Sequence, residues 1–245
     1  MIEEPQNTQE TVSPEVPTEP LSPEVEEMMA AGVHFGHKTS KTHPKMRPYI
    51  AGVRNTVHII DLERTQEKLK EALEFLSKNA AENKKILFVG TKVQIRSLVK
   101  EAAQACGVSF VTERWIGGTI TNFEVISKRI DRFKDLERQK AEGEFEKYTK
   151  REQLDFTREL QDFEVKFGGI KNLNGLPDVV VIFDMDENET AVREARKKGI
   201  SVVGIVDTNI DPEHADYPIP ANDDAISSVK YILDRVQETL LKAKQ

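Results

Sequence analysis

Histidines and basic residues are concentrated between residues 31 and 55, in the segment AGVHFGHKTSKTHPKMRPYIAGVRN. This segment holds three histidines, five lysines or arginines and no acidic residue. Its imidazoles could bind zinc, whereas its cationic side chains could neutralise phosphates. Zinc requires three or four ligands, but Gly32 and Gly36 predict a loop, and the neighbouring cations would repel a metal ion. We therefore expect histidines that are packed or hydrogen-bonded beside Phe35, and no metal site.

The basic residues of this segment form the first candidate site. They are Lys38, Lys41, Lys45, Arg47 and Arg54. Pro44 and Pro48 restrict the backbone between them, which reduces the conformational entropy that the segment would lose on binding. An arginine can also bind one phosphate through two N–H groups at once. The segment is therefore predicted to contact a nucleic-acid backbone.

The segment ERWIGGTITNF, residues 113–123, is a second candidate. Its glycine pair exposes backbone N–H groups, and its side chains could contact phosphate, ribose or a base. The candidate side chains are Arg114, Trp115, Thr119, Thr121 and Asn122. Trp115 has two interpretations, a stacking face for a base or an apolar anchor at the sheet edge. A third and weaker candidate is KFGGIKNLNG, in which Lys166 and Lys171 lie on either side of a glycine pair.

Enzymatic chemistry has less support in the sequence. The segment LFVGTKVQ has the strand–turn–helix form of a nucleotide-binding fold, but only Gly90 is present of the three spaced glycines that bind a pyrophosphate. No Ser/His/Asp or Cys/His arrangement is recognisable. Carboxylates near predicted strand ends could bind Mg²⁺, although they are more typical of helix caps and turns. They are Asp184, Asp186, Glu187, Glu189, Asp207 and Asp211. We predict no catalytic residue, no cofactor and no metal; an enzyme acting at an Asp184/Asp207 crevice and a protein-interaction adaptor are the alternatives.

The overall charge of −7 conceals an uneven distribution. Residues 1–27 contain eight glutamates and no lysine or arginine, which leaves 34 acidic against 35 basic residues in the rest of the chain. Local patches must therefore decide what the protein binds. The single cysteine, Cys106, excludes an intrachain disulfide, and the longest apolar run, residues 179–183, is too short to cross a bilayer. We expect a cytoplasmic protein without membrane contact.

Two strand–helix–strand patterns predict a parallel α/β sheet with helices on both faces. The first covers residues 85–112 and includes a helix over residues 91–107, with Thr91 as its N-cap. The second begins near residue 178 and is followed by a short strand at YPIP and a last helix capped by residues 222–224. Residues 48–53 and 56–61 are predicted to form two strands around a tight connection. The α/β domain is expected over residues 22–123 and 167–245, after a disordered, acidic and proline-rich tail over residues 1–21.

Residues 124–166 have a different pattern. Ile126, Ile130 and Phe133 repeat at intervals of four and three residues, as do apolar residues between Phe156 and Phe167. A capping box at Thr149-Lys-Arg-Glu opens the second repeat. The pattern predicts an inserted antiparallel coiled-coil helical hairpin. Such a hairpin could be a solvated element without a function of its own, or a lever that reaches RNA or a neighbouring protein.

Eight motifs now identify a resemblance that covers about residues 24–240. They are AGVHFGH, HPKMRPYI, VHIIDLERT, ILFVGTK, RWIGGTITN, GGIKNLNGLPDVVVIFD, GIVDTNIDP and IPANDDAISS, in this order. The set resembles the bacterial small ribosomal subunit protein two family. The resemblance implies a flavodoxin-like domain with a protruding coiled-coil hairpin, in a structural and non-enzymatic component of the small subunit. It also implies contacts with small-subunit rRNA and neighbouring ribosomal proteins, including the OB-repeat protein that captures messenger RNA, and no homo-oligomer. On this basis, the five cations of the first candidate and Arg114, Trp115, Thr119, Asn122 and Lys171 are the expected RNA-binding residues.

Overall fold

The computed structural model describes residues 22–244, so the predicted disordered tail lies outside the described residues. These residues form eight strands and seven α-helices. The strands are β1 (Phe35–Lys38), β2 (Ile50–Arg54), β3 (Val57–Ile60), β4 (Ile86–Val89), β5 (Ser109–Val111), β6 (Val179–Ile182), β7 (Ser201–Val206) and β8 (Tyr217–Pro220). The helices are α1 (Pro23–Ala30), α2 (Leu62–Ala81), α3 (Arg96–Cys106), α4 (Phe123–Ala141), α5 (Lys150–Phe167), α6 (Glu189–Lys197) and α7 (Ile226–Ala243).

The main sheet has five parallel strands in the order β5-β4-β6-β7-β8. Counted from β4, this is the order 2-1-3-4-5 of flavodoxin-like doubly wound folds. In such folds the chain leaves the first and third strands in opposite directions, so a crevice opens between their carboxyl ends. Here that crevice lies after β4 and β6, beside Thr91 and Asp184.

Alternate residues of each central strand face two separate apolar layers. On β4, Ile86 and Phe88 pack with the layer that contains residues of α1, α2, α3 and α7, whereas Leu87 and Val89 pack with the opposite layer. A two-residue period that is apolar on both faces is the pattern of a parallel sheet covered on both sides. The predicted α/β sheet with helices on both faces is confirmed.

A second, smaller sheet joins β1, β3 and β2 in antiparallel pairs. The hairpin between β2 and β3 turns at Asn55 and Thr56, which both have positive φ angles, as expected for a tight turn that matches strand twist. The loop expected from Gly32 and Gly36 was wrong for residues 35–38, which form a strand that pairs with β3. Gly36 allows close packing there, since a Cβ at this position would lie 2.6 Å from the Thr208 side chain.

Several helix ends have caps of standard chemistry. The Ser22 side chain accepts a hydrogen bond from the N–H of Val25, and Gly107 ends α3 with a φ of 61°. The capping box at Thr149 and Glu152 is present at the start of α5. The prediction that Thr91 caps a helix was wrong: α3 begins at Arg96, because the Thr91 hydroxyl is bound to Asp184 instead.

Helices α4 and α5 pack against each other through aromatic and aliphatic side chains. Phe133 of α4 contacts Phe163, and Phe145, in the short 3₁₀ helix after α4, contacts Phe156, so the two helices run in opposite directions. Their buried residues belong to the same apolar layer as one face of the sheet. Among the described helices, none is long and apolar enough to cross a membrane.

Candidate RNA-binding surface

The basic segment is fixed to the carboxyl edge of the main sheet. Residues 44–49 form a short 3₁₀ helix whose Met46 side chain is fully buried in the apolar layer. Just before it, the N–H of His43 donates to the carbonyl of Thr208 at 2.8 Å, directly after β7. Just after it, the carbonyl of Tyr49 accepts from the N–H of Asp61 at 2.9 Å. The cations therefore project from a backbone whose position is set before any ligand arrives.

All five predicted cations of this segment are exposed. Lys45 forms ion pairs with Asp211, at 2.9 Å, and with Glu213. Within residues 22–244, no carboxylate lies within 4.0 Å of the cationic groups of the other four, which are Lys38, Lys41, Arg47 and Arg54. Four positive charges of this segment thus have no carboxylate partner in the described part of the chain.

His34 and His37 of the segment, together with the nearby His58 of β3, are engaged with protein groups. His58 is buried, and its Nε2 lies 2.5 Å from the Thr42 hydroxyl. His34 packs on Phe35 with ring centroids 4.0 Å apart, and burial, with Arg54 nearby, lowers the pKa of His34. His37 Nδ1 lies 3.0 Å from Asp207 Oδ2, and this hydrogen bond raises the pKa of His37. These contacts fix the shape of the basic segment.

The fold also joins His37 to carboxylates that are distant in sequence. His37, Asp207 and Asp223 each offer an atom within 4.8 Å of the others, which is a ligand set for a divalent cation. Lys92 Nζ already lies 2.8 Å from Asp223. Burial acts to lower the pKa of Lys92, but the neighbouring Asp223 and Asp224 outweigh this effect and raise it. Sequence analysis considered the histidines and the carboxylates as separate metal sites and missed this combination.

The crevice of the doubly wound sheet is filled by a carboxylate of the chain itself. One oxygen of Asp184 accepts hydrogen bonds from the N–H groups of Thr91 and Lys92, at 2.7 and 2.8 Å, and from the Thr91 hydroxyl at 3.0 Å. In nucleotide-binding relatives of this architecture, backbone N–H groups after the first strand bind a phosphate. Here Asp184, which is fully buried, takes that position.

Burial raises the pKa of Asp184 to about 6, against the opposing effect of its hydrogen bonds from Thr91 and Lys92. A carboxyl group whose folded pKa lies above its unfolded value stabilises the fold below the unfolded pKa, and this contribution is lost as the pH rises through about 6. We therefore expect Asp184→Asn to become more stable relative to the parent as the pH rises from 4 to 7.5. Urea unfolding across this range measures the difference. Asp186→Asn, an exposed carboxylate nearby, is the control; a pH-independent difference for Asp184→Asn would contradict the assignment.

The segment after β5 is held by Glu194, a buried residue of α6 that sequence analysis missed. Its carboxylate accepts hydrogen bonds from Trp115 Nε1 (3.2 Å), from the N–H groups of Gly118, Ile120 and Thr121 (2.7, 3.0 and 3.0 Å) and from the Thr121 hydroxyl (3.0 Å). Burial acts to raise the pKa of Glu194, but these hydrogen bonds outweigh burial and lower it. The sequence contained one signal for this role, an acid among Ala191, Val192 and Ala195 on the buried face of a helix.

Two of the predicted RNA-binding side chains of this segment are not available to a ligand. Trp115 is 8% exposed and lies in the apolar layer, so the alternative interpretation as an anchor fits and base stacking does not. Thr119 is 2% exposed, and its hydroxyl donates to the carbonyl of Ile116. Arg114 and Asn122 are exposed. The segment can therefore offer RNA one cation and one amide.

Lys171 also has an internal role. Its ammonium group forms an ion pair with Glu137 of α4 and lies 5.2 Å from the centroid of the Phe133 ring. It thus ties the segment after α5 to α4, and its charge is already compensated. The neighbouring Lys166 is exposed.

The sequence of the chain was compared with protein-family models and with curated proteins. The family model described as ribosomal protein S2 matches residues 28–243. A curated relative, the small ribosomal subunit protein uS2 of Marinobacter nauticus, is 46% identical over 219 residues, which cover 89% of this chain and 88% of the relative. Since both matches extend over nearly the whole chain, the chain belongs to the ribosomal protein S2 family.

Proposed function

We propose that this chain is seated on small-subunit rRNA by its basic segment, through Lys38, Lys41, Lys45, Arg47 and Arg54, with Arg114 and Asn122 as additional contacts. As a member of the ribosomal protein S2 family, the chain is a structural constituent of the small ribosomal subunit and not an enzyme. RNA and other ribosomal proteins are therefore its partners. Its place in the cell, on this proposal, is the cytoplasmic ribosome.

One observation carries the proposal: four cations that have no carboxylate partner among residues 22–244 project from a segment whose backbone is anchored at His43 and Tyr49. Each phosphate that such a cation neutralises releases counterions. The logarithm of the association constant should therefore fall by about 0.9 per contact for each tenfold increase in salt concentration. We call this dependence the salt slope. Because Met46 and the hydrogen bond from His43 to Thr208 already hold the backbone, little further ordering is needed on binding. Lys45 would have to exchange Asp211 and Glu213 for a phosphate, and it is the weakest member of the set.

Trp115, Thr119 and Lys171 have a different part in this proposal. Their side chains are committed within the protein. Trp115 and Thr119 would act by fixing the backbone that presents Arg114 and Asn122, and Lys171 by tying the segment after α5 to α4. Substitutions at these three positions should therefore reduce stability before they reduce the salt dependence of RNA binding.

We further propose that residues 124–166 form a helical hairpin inserted between the two parts of the α/β domain, residues 22–123 and 167–245, and that this hairpin contacts a neighbouring ribosomal protein. Support comes from the opposed packing of α4 and α5 and from exposed apolar side chains on them, Val125, Leu154 and Val165. The OB-repeat protein that captures messenger RNA is the partner we would test first. A monomer, not a homo-oligomer, is the proposed state of the free chain.

The central experiment neutralises Lys41, Lys45 and Arg47 together by substitution with glutamine. We expect the salt slope of binding to small-subunit rRNA to decrease by about two to three, because about 0.9 is lost per phosphate contact. We also expect incorporation of the protein into small subunits to fall. The matched control replaces three exposed lysines of α2 and α7, Lys70, Lys78 and Lys230, by glutamine. Equal slopes for the two triple variants would remove the basic segment from the proposal.

A further inference from the structure

We propose a second RNA-contacting surface, a groove that runs along the edge strand β5 from the amino ends of β4 and β5. The groove has a volume of about 780 Å³. Residues 83–86 and 107–113 form one side of it, residues 164–174 contribute the other, and Lys100 and Lys244 extend it. Lys85 directly precedes β4, and Ser109 begins β5, whereas the basic segment is anchored beyond the carboxyl end of β7. The inference rests on the proposed function, because it names a further contact with the same RNA.

The charges that line the groove favour a polyanion. Five lysines and two glutamates line it, a surplus of three positive charges in a chain with a net charge of −7. The lysines are Lys84, Lys85, Lys100, Lys166 and Lys244. Of the two glutamates, Glu113 is already paired with Arg96 at 2.8 Å. The acid that remains is Glu164.

Three of these lysines keep their charge available. Lys85 Nζ donates to the carbonyl of Asn174, and Lys244 Nζ donates to the carbonyl of Cys106 at 2.6 Å. These partners are neutral, so they position the ammonium groups without compensating their charge. Lys100 is exposed, and in the part of the chain that the structure describes none of these three lysines has a carboxylate within 4.0 Å. In contrast, Lys84 is paired with Glu82 and Lys166 lies 3.6 Å from Asp162.

The other groups in the groove fit a phosphodiester strand better than a small metabolite. Between the lysines lie the side chains of Asn83, Gln104, Asn172 and Asn174. Amide side chains are usual neutral partners of phosphate and ribose oxygens. A small ligand would need an enclosed and mainly apolar site, whereas this groove is only partly enclosed and has at least as much polar as apolar lining. An acidic peptide is the competing occupant.

The wall of the groove is rigid, which favours a preformed site. Gly169 packs so closely that a Cβ at this position would lie 2.1 Å from the carbonyl oxygen of Phe110. The segment after α5 is thus fixed against β5. The KFGGIKNLNG motif, singled out in the sequence as a weak phosphate-binding candidate, accordingly forms one side of a defined channel.

The experiment compares the full-length chain with the double variant Lys100→Gln/Lys244→Gln in binding to small-subunit rRNA over a range of salt concentrations. We expect the salt slope to fall by about two relative to the parent, because about 0.9 is lost per phosphate contact. Lys100→Arg/Lys244→Arg should retain the parent slope. The control is Lys70→Gln/Lys78→Gln on α2, with thermal melting to verify that each variant folds.

The outcomes separate this inference from the proposed function. If the groove variant matches the α2 control while the Lys41/Lys45/Arg47 variant loses slope, the groove is not an RNA contact but the basic segment is. If neither changes the slope, the proposed function fails as well. If the groove variant loses affinity for poly-glutamate and keeps the parent slope for rRNA, the occupant is an acidic peptide and the inference is overturned. Because the two surfaces share no residue, their effects should add when the variants are combined.

Discussion

Replacement of Glu194 by alanine should lower the free energy of unfolding by about 3–5 kcal/mol, because buried donors that lose their partner cost roughly 1–3 kcal/mol each and water can reach only some of them. The carboxylate accepts five hydrogen bonds from residues 115–121. Three of these come from backbone N–H groups, which no rotamer change can redirect. Urea unfolding followed by circular dichroism measures the loss.

Two further variants test whether the hydrogen bonds to the Glu194 carboxylate cause the loss of stability in Glu194→Ala. Glu194→Gln keeps one acceptor oxygen but turns an N–H₂ group towards donors, so we expect about half of the alanine effect. Glu189→Gln is the control: it lies on the same helix, is exposed and pairs with Arg193, and it should change stability by less than about 0.5 kcal/mol. Equal effects at positions 189 and 194 would show that the hydrogen bonds to Glu194 do not stabilise the segment.

The lowered pKa of Glu194 adds a pH dependence to this prediction. A carboxyl group with a depressed folded pKa stabilises the fold above its unfolded pKa of roughly 4.3, and the contribution is lost as the pH falls through the folded pKa. The difference between the parent and Glu194→Gln should therefore shrink in acid. This direction is opposite to that expected for Asp184, so the two substitutions distinguish the two buried acids.

Gly169→Ala should be the most damaging of the glycine-to-alanine substitutions, and should lower the free energy of unfolding by about 3 kcal/mol or more. The added Cβ would lie 2.1 Å from the Phe110 carbonyl oxygen, and 2.6 Å from the ring of the same residue. Since the nearest atom belongs to the backbone of β5, relief requires the strand or the segment after α5 to move. Thermal melting and urea unfolding measure the effect.

Gly52→Ala provides the matched control, because no atom lies within 4 Å of a Cβ at that position. We expect it to be neutral or slightly stabilising, as alanine reduces the entropy of the unfolded chain. If both substitutions had the same small effect, the close contact between the segment after α5 and β5 would be wrong. The rigid wall assigned to the groove would then be lost with it.

Much of the fold could be predicted because local and global preferences agree. The strand at residues 179–182 is apolar on both faces, which identifies a central parallel strand, and Gly107 ends α3 in the left-handed conformation that glycine favours. Ser22 and the Thr149–Glu152 pair begin their helices through side-chain chemistry that operates over three residues. Such signals need no knowledge of distant contacts.

The errors have the opposite origin, in partners that are far away in the sequence. Thr91 has the residue type of an N-cap, but Asp184 binds its hydroxyl from 93 positions away. Residues 35–38 contain a glycine that suggests a loop, yet pairing with β3 makes them a strand. Trp115 offered two roles in the sequence, and only the packed layer around it, together with Glu194, decides between them.

The candidate site, too, has features that the sequence shows and features that depend on distant contacts. The run of cations near residues 38–54 is visible in the sequence because its members are adjacent, but the pairing of Lys45 with Asp211 joins residues 166 positions apart. The same distance effect concealed the approach of His37 to Asp207 and Asp223. Charge can be counted from a sequence, whereas the compensation of a charge depends on the fold.

The carboxylate of Asp184 has a consequence for regulation. Doubly wound proteins that hold an exchangeable phosphate compound in the sheet crevice alternate between loaded and empty forms, and their shape can follow the concentration of that compound. In this chain the N–H groups of Thr91 and Lys92 are bound by a group that is covalently attached and cannot dissociate. The conformation of this edge should therefore be indifferent to the metabolic state of the cell, a suitable property for a part whose neighbours require constant dimensions.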